Sequence, residues 1–304
     1  MKKVSYNPVE IQLKDLLDIK RQAEILSVPG TKKSAYAGFG TTKSPFKSRG
    51  LDFQEVRVYQ PGDDIRQIDW RVTAKYGKPF TKLYTEEKER CIFFICDLRK
   101  PMHFATHGDF KSVIAARMTA FLAFMASHHK DKIGALLLTD NGLINIPPDK
   151  SESNVMTLLQ FLAHPKSQQA AHVSLCESAK YLGPILPSGS YLFVFSDFSD
   201  WDDKTKSEFC HFSVKDTVLL CPIYDILETK LPKGIFAFSD GTTTLVLNTD
   251  EKQLQKNFSK TWQQRLHMLQ SAASSQGWGL MPIQTDDDYL NILTSFCLKG
   301  VSTS

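Results

Sequence analysis

The sequence predicts an α/β fold in which a largely parallel sheet is flanked by helices. Three observations carry that prediction. Residues 91–96 (CIFFIC) and 191–196 (YLFVFS) are short, continuous apolar runs, the way strands read when both faces are covered. Each run stops at an acid, Asp97 and Asp197. Helical periodicity then fills the intervals between apolar runs, the alternation that βαβ units require.

Taken in order, residues 1–50 read as an N-terminal helix and a basic connector. Apolar residues at 9, 13, 16, 17 and 19 give 9–26 an amphipathic stripe. Residues 27–50 hold six Gly and Pro and five basic residues (Lys32, Lys33, Lys43, Lys47, Arg49) without an acid. That segment reads either as a solvated linker or as a binding loop. Residues 51–89 form a second, β-rich unit. Residues 53–59 and 79–85 alternate as strands do. Between them, Gln60-Pro61-Gly62-Asp63 has the composition of a type II turn.

Residues 90–304 form the α/β domain. After the strand ending at Asp97, a helix is predicted over 110–127 and a buried strand over 133–138. Helices follow over 155–162 and 174–182. Beyond the strand ending at Asp197 come strands over 217–222 and 244–247, a long helix over 252–273, a strand over 280–283 and a helix over 287–296.

Composition bounds the function. The 304 residues carry a net charge of +4, held unevenly: residues 1–90 have 18 Lys and Arg against 12 Asp and Glu. That bias is too weak to indicate nucleic acid by itself. The six cysteines are scattered, with no CxxC pair, as expected of reduced thiols in a cytoplasmic protein. The start, Met-Lys-Lys-Val-Ser, lacks the apolar core of a signal peptide. No window approaches the ~18 apolar residues of a membrane span. No GxSxG, HExxH or phosphate-cradling glycine loop is present.

Two constellations could carry function. Residues 57–70 crowd Arg57, Tyr59, Gly62, Asp63, Asp64, Arg66, Asp69 and Trp70 into one short run. As structure, Arg66 would pair with Asp64 or Asp69 and Trp70 would pack into a junction. As function, the same charges would meet a partner, or Asp63, Asp64 and Asp69 would serve a metal-dependent hydrolase. The second constellation is Asp97 and Asp197 at the carboxyl edge of the sheet, where open α/β sheets bind ligands. Two converging acids suit Mg²⁺, whose ligands are oxygens; the alternative is that one or both cap the following helix.

The run GLDFQEVRVYQPGDDIRQIDW, residues 50–70, resembles the signature of the bacterial DUF58 family. The likeness continues through Ala74-Lys75-Tyr76-Gly77, Lys82 and Glu86-Glu87. It resumes at Asp225-Ile226-Leu227-Glu228 and Leu231-Pro232, where Ile226 replaces the family's Pro. The resemblance implies a von Willebrand A-like domain with a β-rich insert. In such domains a metal-ion-dependent adhesion site uses D-x-S-x-S after the first strand, a Thr from a later loop and an Asp after the fourth strand. Here the first element reads Asp97-Leu98-Arg99-Lys100-Pro101, and the Thr loop falls near residues 172–174, where no Thr stands.

The expectation is therefore a degenerate site without metal or other cofactor, with Arg99 or Lys100 standing where the cation would be. The competing reading keeps Asp97, Ser196 and Asp197 around Mg²⁺. Family members often accompany AAA+ ATPases of the MoxR type. The resemblance thus implies a non-enzymatic adaptor that presents an unknown client protein to such a motor through Asp97, Arg99, Lys100, Ser196 and Asp197. The alternatives are the hydrolase and a nucleic-acid binder using residues 31–50.

Overall fold

The apolar runs over 91–96, 133–138, 191–196 and 217–222 form neighbouring strands of one sheet in a computed structural model. It describes residues 8–26, 51–60, 62–86, 90–165, 173–212, 216–239, 244–289 and 291–293. The basic segment 31–50, with Lys32, Lys33 and Lys43, lies outside the described residues, as do Pro61, His172 and 294–296. The chain divides into two compact units. The larger is Met1–Gly40 with Arg90–Ser304; the smaller is Thr41–Glu89.

The larger unit contains α1 (Leu13–Leu26), and its main sheet starts with β3 (Cys91–Asp97), numbered after the two strands of the smaller unit. There follow α3 (Lys111–His128), β4 (Lys132–Thr139), β5 (Gly142–Asp149), α4 (Glu152–Ala163) and α5 (Leu175–Leu182). Then come β6 (Tyr191–Ser196), α6 (Asp203–Cys210), β7 (Thr217–Tyr224) and the short α7 (Ile226–Thr229). The ribbon β8 (Ile235–Ser239) and β9 (Thr244–Asn248), the long α8 (Lys252–Gln276), β10 (Gly279–Leu280) and β11 (Ile283–Gln284) complete it. The sheet runs β10-β7-β6-β3-β4-β5, with β11 also on β7. All pairings are parallel except β4 with β5. This α/β fold is the doubly wound arrangement, and the strand order reverses between β3 and β6.

Every residue of β3 is buried, and its side chains alternate between two cores. Ile92, Phe94 and Cys96 face the core beneath α1, α3 and α4. Cys91, Phe93 and Ile95 face the core beneath α5, α6 and α8. Helix α3 is apolar around nearly its whole circumference, and residues 111–126 are all buried. The sheet covers one side of it. Leu16, Ile19 and Ala23 of α1 join the core on the other, so the N-terminal helix is built into the larger unit.

The smaller unit is an antiparallel pair, β1 (Leu51–Val58) with β2 (Phe80–Glu86), joined through α2 (Trp70–Tyr76). Its turn over 60–63 matches expectation: Asp63 N–H donates to Gln60 O at 3.0 Å, and Gly62 adopts φ +107°. Trp70, the first residue of α2, is 67% exposed. The sequence reading also did not foresee β5, α2, α6, α7 or β8, and it merged β10 and β11 into one strand.

Gly134 of β4 pairs with Phe93 of β3. A Cβ there would sit 2.6 and 2.7 Å from the buried Phe93 ring and 3.0 Å from Pro148. Gly134→Ala is expected to lower stability by about 1–3 kcal/mol through overpacking, with the fold retained. Urea unfolding followed by circular dichroism measures this.

Candidate functional site

The carboxyl ends of β3, β6 and β7 bring together acids and two basic side chains at the point where the strand order reverses. Asp97 ends β3 and is 1% exposed. Two residues on, Arg99 folds back onto it: Nε donates to Oδ1 at 2.9 Å and Nη2 to Oδ2 at 2.7 Å. This bidentate fork matches guanidinium to carboxylate geometry. The Arg99 backbone N–H also donates to Oδ1, at 3.1 Å. Ser196, at the end of β6, donates its hydroxyl to Asp97 Oδ2 at 2.7 Å.

The far side of the guanidinium reaches two other segments. Nη1 donates to Val173 O at 2.9 Å and to Asp200 Oδ2 at 2.8 Å, and Nη2 reaches Asp200 Oδ1 at 3.3 Å. Asp200 is itself positioned by the N–H of Leu175, at 2.9 Å. Burial disfavours the Arg99 charge, but its hydrogen bonds to Asp97 and Asp200 outweigh that and raise its pKa. Of the two basic residues suggested for the cation position, Arg99 is the one surrounded by acids. Lys100 is exposed, and its backbone N–H donates to Asp140 Oδ1 at 2.9 Å.

Asp197 has a different counterion. Lys111, the first residue of α3, is 1% exposed and places Nζ 3.3 Å from Asp197 Oδ2 and 2.8 Å from Glu228 Oε1. A cation at a helix N-terminus opposes the helix dipole, and a buried one also loses hydration. Two carboxylates offset both penalties. Burial alone would raise the Asp197 pKa; the Lys111 charge and hydrogen bonds from Ser199 overcome this and lower it. Behind this pair, Asp225 accepts from the Thr106 N–H (2.8 Å) and hydroxyl, the Thr285 hydroxyl (2.6 Å) and the Leu227 N–H (2.9 Å). These donors outweigh burial and lower its pKa as well.

The backbone turns sharply after Asp197. Phe198 takes φ +52°, which strains a non-glycine residue. The turn is held because Phe198 is fully buried against Trp201, and its N–H donates to Ser196 Oγ at 3.0 Å.

The sequence places Asp97, Arg99, Ser196 and Asp197 at this edge but not Lys111, Asp200, Asp225 or Glu228, although Asp225 and Glu228 stand in the family-like element over 225–232. Asp225 and Glu228 carried a signal, since they form a capping box around α7. Lys111 carried none, because nothing in an apolar helix marks one lysine as buried. The residues present do not fit a divalent cation: Asp97 is bound bidentately by Arg99, and Asp197 faces the Lys111 ammonium. Bringing a second cation among these charges would be repulsive.

The acids of residues 57–70 serve backbone geometry in the smaller unit. Asp63 pairs with Arg57 at 2.7 Å and accepts from Gln60 N–H at 2.9 Å. Asp64 caps a single 3₁₀ turn over Ile65–Gln67, accepting from Arg66 N–H at 2.9 Å. Asp69 caps α2, accepting from Arg71 and Val72 N–H at 3.0 and 3.1 Å. Arg66, expected to pair with Asp64 or Asp69 through its side chain, meets Asp64 through its backbone N–H. Tyr59 enters the same frame through its backbone, whose N–H donates to Pro79 O at 2.8 Å. Each of the three carboxylates thus accepts backbone N–H groups at a turn or helix start.

The family model described as "Protein of unknown function DUF58" matches residues 55–267, more than half of the chain. The chain belongs to the DUF58 family. Among its relatives is an uncharacterized protein of Mycobacterium tuberculosis (Rv1480), 23% identical over 255 residues that span 81% of this chain and 78% of the relative. Among solved structures, BatB from Bacteroides thetaiotaomicron is similar with a TM-score of 0.42 at 10% identity, over 68% of this chain and 96% of that one. A von Willebrand factor type A protein from Catenulispora acidiphila has a TM-score of 0.39 at 8% identity, over 72% and 43%. Among the described residues of this DUF58 chain, no helix is long and apolar enough to cross a membrane.

The lowered Asp197 and Asp225 values set a pH dependence. A carboxylate with a depressed folded pKa contributes stability that is complete above its unfolded pKa, about 3.9. That contribution is lost as pH falls through the folded value. Stability is therefore expected to drop on acidification below about pH 4, and Asp197→Asn should flatten part of that drop. Urea midpoints measured between neutral and strongly acidic pH check both.

Proposed function

We propose that this DUF58 chain is a non-enzymatic, cytoplasmic interaction module. It works with a MoxR-type AAA+ ATPase and presents a client protein through the carboxyl edge of its sheet. One observation carries this reading. The charged groups where the strand order reverses are committed to one another: Arg99 to Asp97 and Asp200, and Lys111 to Asp197 and Glu228. A catalytic acid or base needs a proton-transfer role toward a substrate; these groups are occupied in holding three loops together. The result is a stiff ionic floor with an exposed rim that includes Lys100 and Asp140. Rigid scaffolds carrying such rims suit recognition of a partner surface.

Binding at this edge needs no metal, because the chain supplies its own cations. The acids of residues 57–70 support the same reading, since they are spent on turns and caps.

Capture of the tagged full chain from its native cells is expected to enrich a AAA+ ATPase, and adding the purified chain should change that motor's ATP hydrolysis. Lys100→Glu should weaken capture about tenfold while leaving the melting temperature unchanged. A chelator should leave capture intact. Absence of any enriched ATPase, together with unchanged ATP hydrolysis, would count against the adaptor reading.

A further inference from the structure

We infer that Arg99 fills a cation cage of oxygen ligands, and that removing its side chain uncovers a latent divalent-metal site. The guanidinium is met by oxygens from three separate segments. Asp97 supplies Oδ1 and Oδ2 at 2.9 and 2.7 Å, Asp200 supplies Oδ2 and Oδ1 at 2.8 and 3.3 Å, and Val173 supplies its carbonyl at 2.9 Å. Ser196 Oγ lies 2.7 Å from Asp97 Oδ2, beside the same cation. Every donor to this space is oxygen, and two of the groups are carboxylates. That is the ligand set of hard cations such as Mn²⁺ and Mg²⁺.

Each part of the cage also has an anchor other than the guanidinium. Asp97 is placed by the end of β3 and by Ser196. Asp200 is fixed by the Leu175 N–H, and Val173 precedes the capping box that starts α5. The oxygens therefore stay close together when the side chain is cut back. Without a cation, two carboxylates would face each other in a largely buried place, which is strongly unfavourable. A divalent ion then becomes the replacement. In the wild type the tethered guanidinium competes at an effective concentration no free ion reaches.

This inference deepens the proposed role of the strand edge, for it explains how that edge can work without metal. Its test uses purified full-length protein and no partner, so a failure of the adaptor reading leaves it standing. Arg99→Ser is compared with wild type by thermal unfolding and by calorimetric titration with Mn²⁺. Without metal the variant should melt below wild type. In about 5 mM Mn²⁺ it should gain at least about 3 °C, while wild type shifts by less than about 1 °C. Titration should find one Mn²⁺ per chain in the variant, and the added substitution Asp97→Asn should abolish it.

Arg99→Gln, which keeps a longer neutral side chain, guards against misfolding of the serine variant and should show the same gain. Folding of either variant only when Mn²⁺ is present also supports the inference. It is overturned if wild type binds Mn²⁺ as the variants do, or if neither variant responds to Mn²⁺ in stability or titration.

Discussion

The Arg99–Asp97 pair is the constraint on which the strand-end edge is built. Asp97 must be buried because β3 is the central strand and is covered on both faces, so its last residue inherits that burial. A buried carboxylate needs a partner, and a fork donor two residues away supplies one at minimal cost in chain entropy. Once Arg99 is committed, its remaining donors select Val173 and Asp200. The loops before α5 and after β6 are then fixed relative to β3. Lys111 does the same for α3, β6 and α7 through Asp197 and Glu228. Two cations thus hold together segments that are more than seventy residues apart in sequence.

The smaller unit solves a different problem by related means. Two strands and a short helix cannot bury a large core, and isolated hairpins are marginal in water. Hydrogen bonds to the backbone therefore define the shape here. Asp63, Asp64 and Asp69 each satisfy N–H groups that would otherwise lack partners at a turn or helix start. Ile65, Trp70 and Tyr76 remain exposed around this frame. The charged signature that marks the family in sequence is, at this level, a set of geometric restraints.

What was legible in the sequence follows from burial. Strands β3 and β6 announced themselves because two covered faces demand unbroken apolar runs, and their terminal acids located the edge. Strand β5 stayed hidden because it is an antiparallel edge strand carrying Pro147 and Pro148, residues compatible only with edges. Helix α2 is short and amphipathic only in part; its signal lay in the Asp69 cap and the Gly77 stop rather than in periodicity. At the edge itself, Arg99 was readable as a hydroxyl-to-cation change next to Asp97. Lys111 was not, because its partners come from residues 197 and 228, and only the folded topology brings them together. Asp200 was missed for a similar reason: three residues beyond Asp197 it reads as ordinary loop chemistry.

The placement of α1 has a consequence for the order in which the protein is made. This helix is made before α3, whose surface it covers, by roughly a hundred residues, with the whole smaller unit synthesised in between. Until α3 emerges, Leu16, Ile19 and Ala23 have no core to enter. The nascent chain thus carries an unsatisfied apolar stripe while the β1–β2 pair is already able to form from local contacts. Completion of the larger unit is thus a long-range closure, in which α1 is held by contacts with residues made long after it.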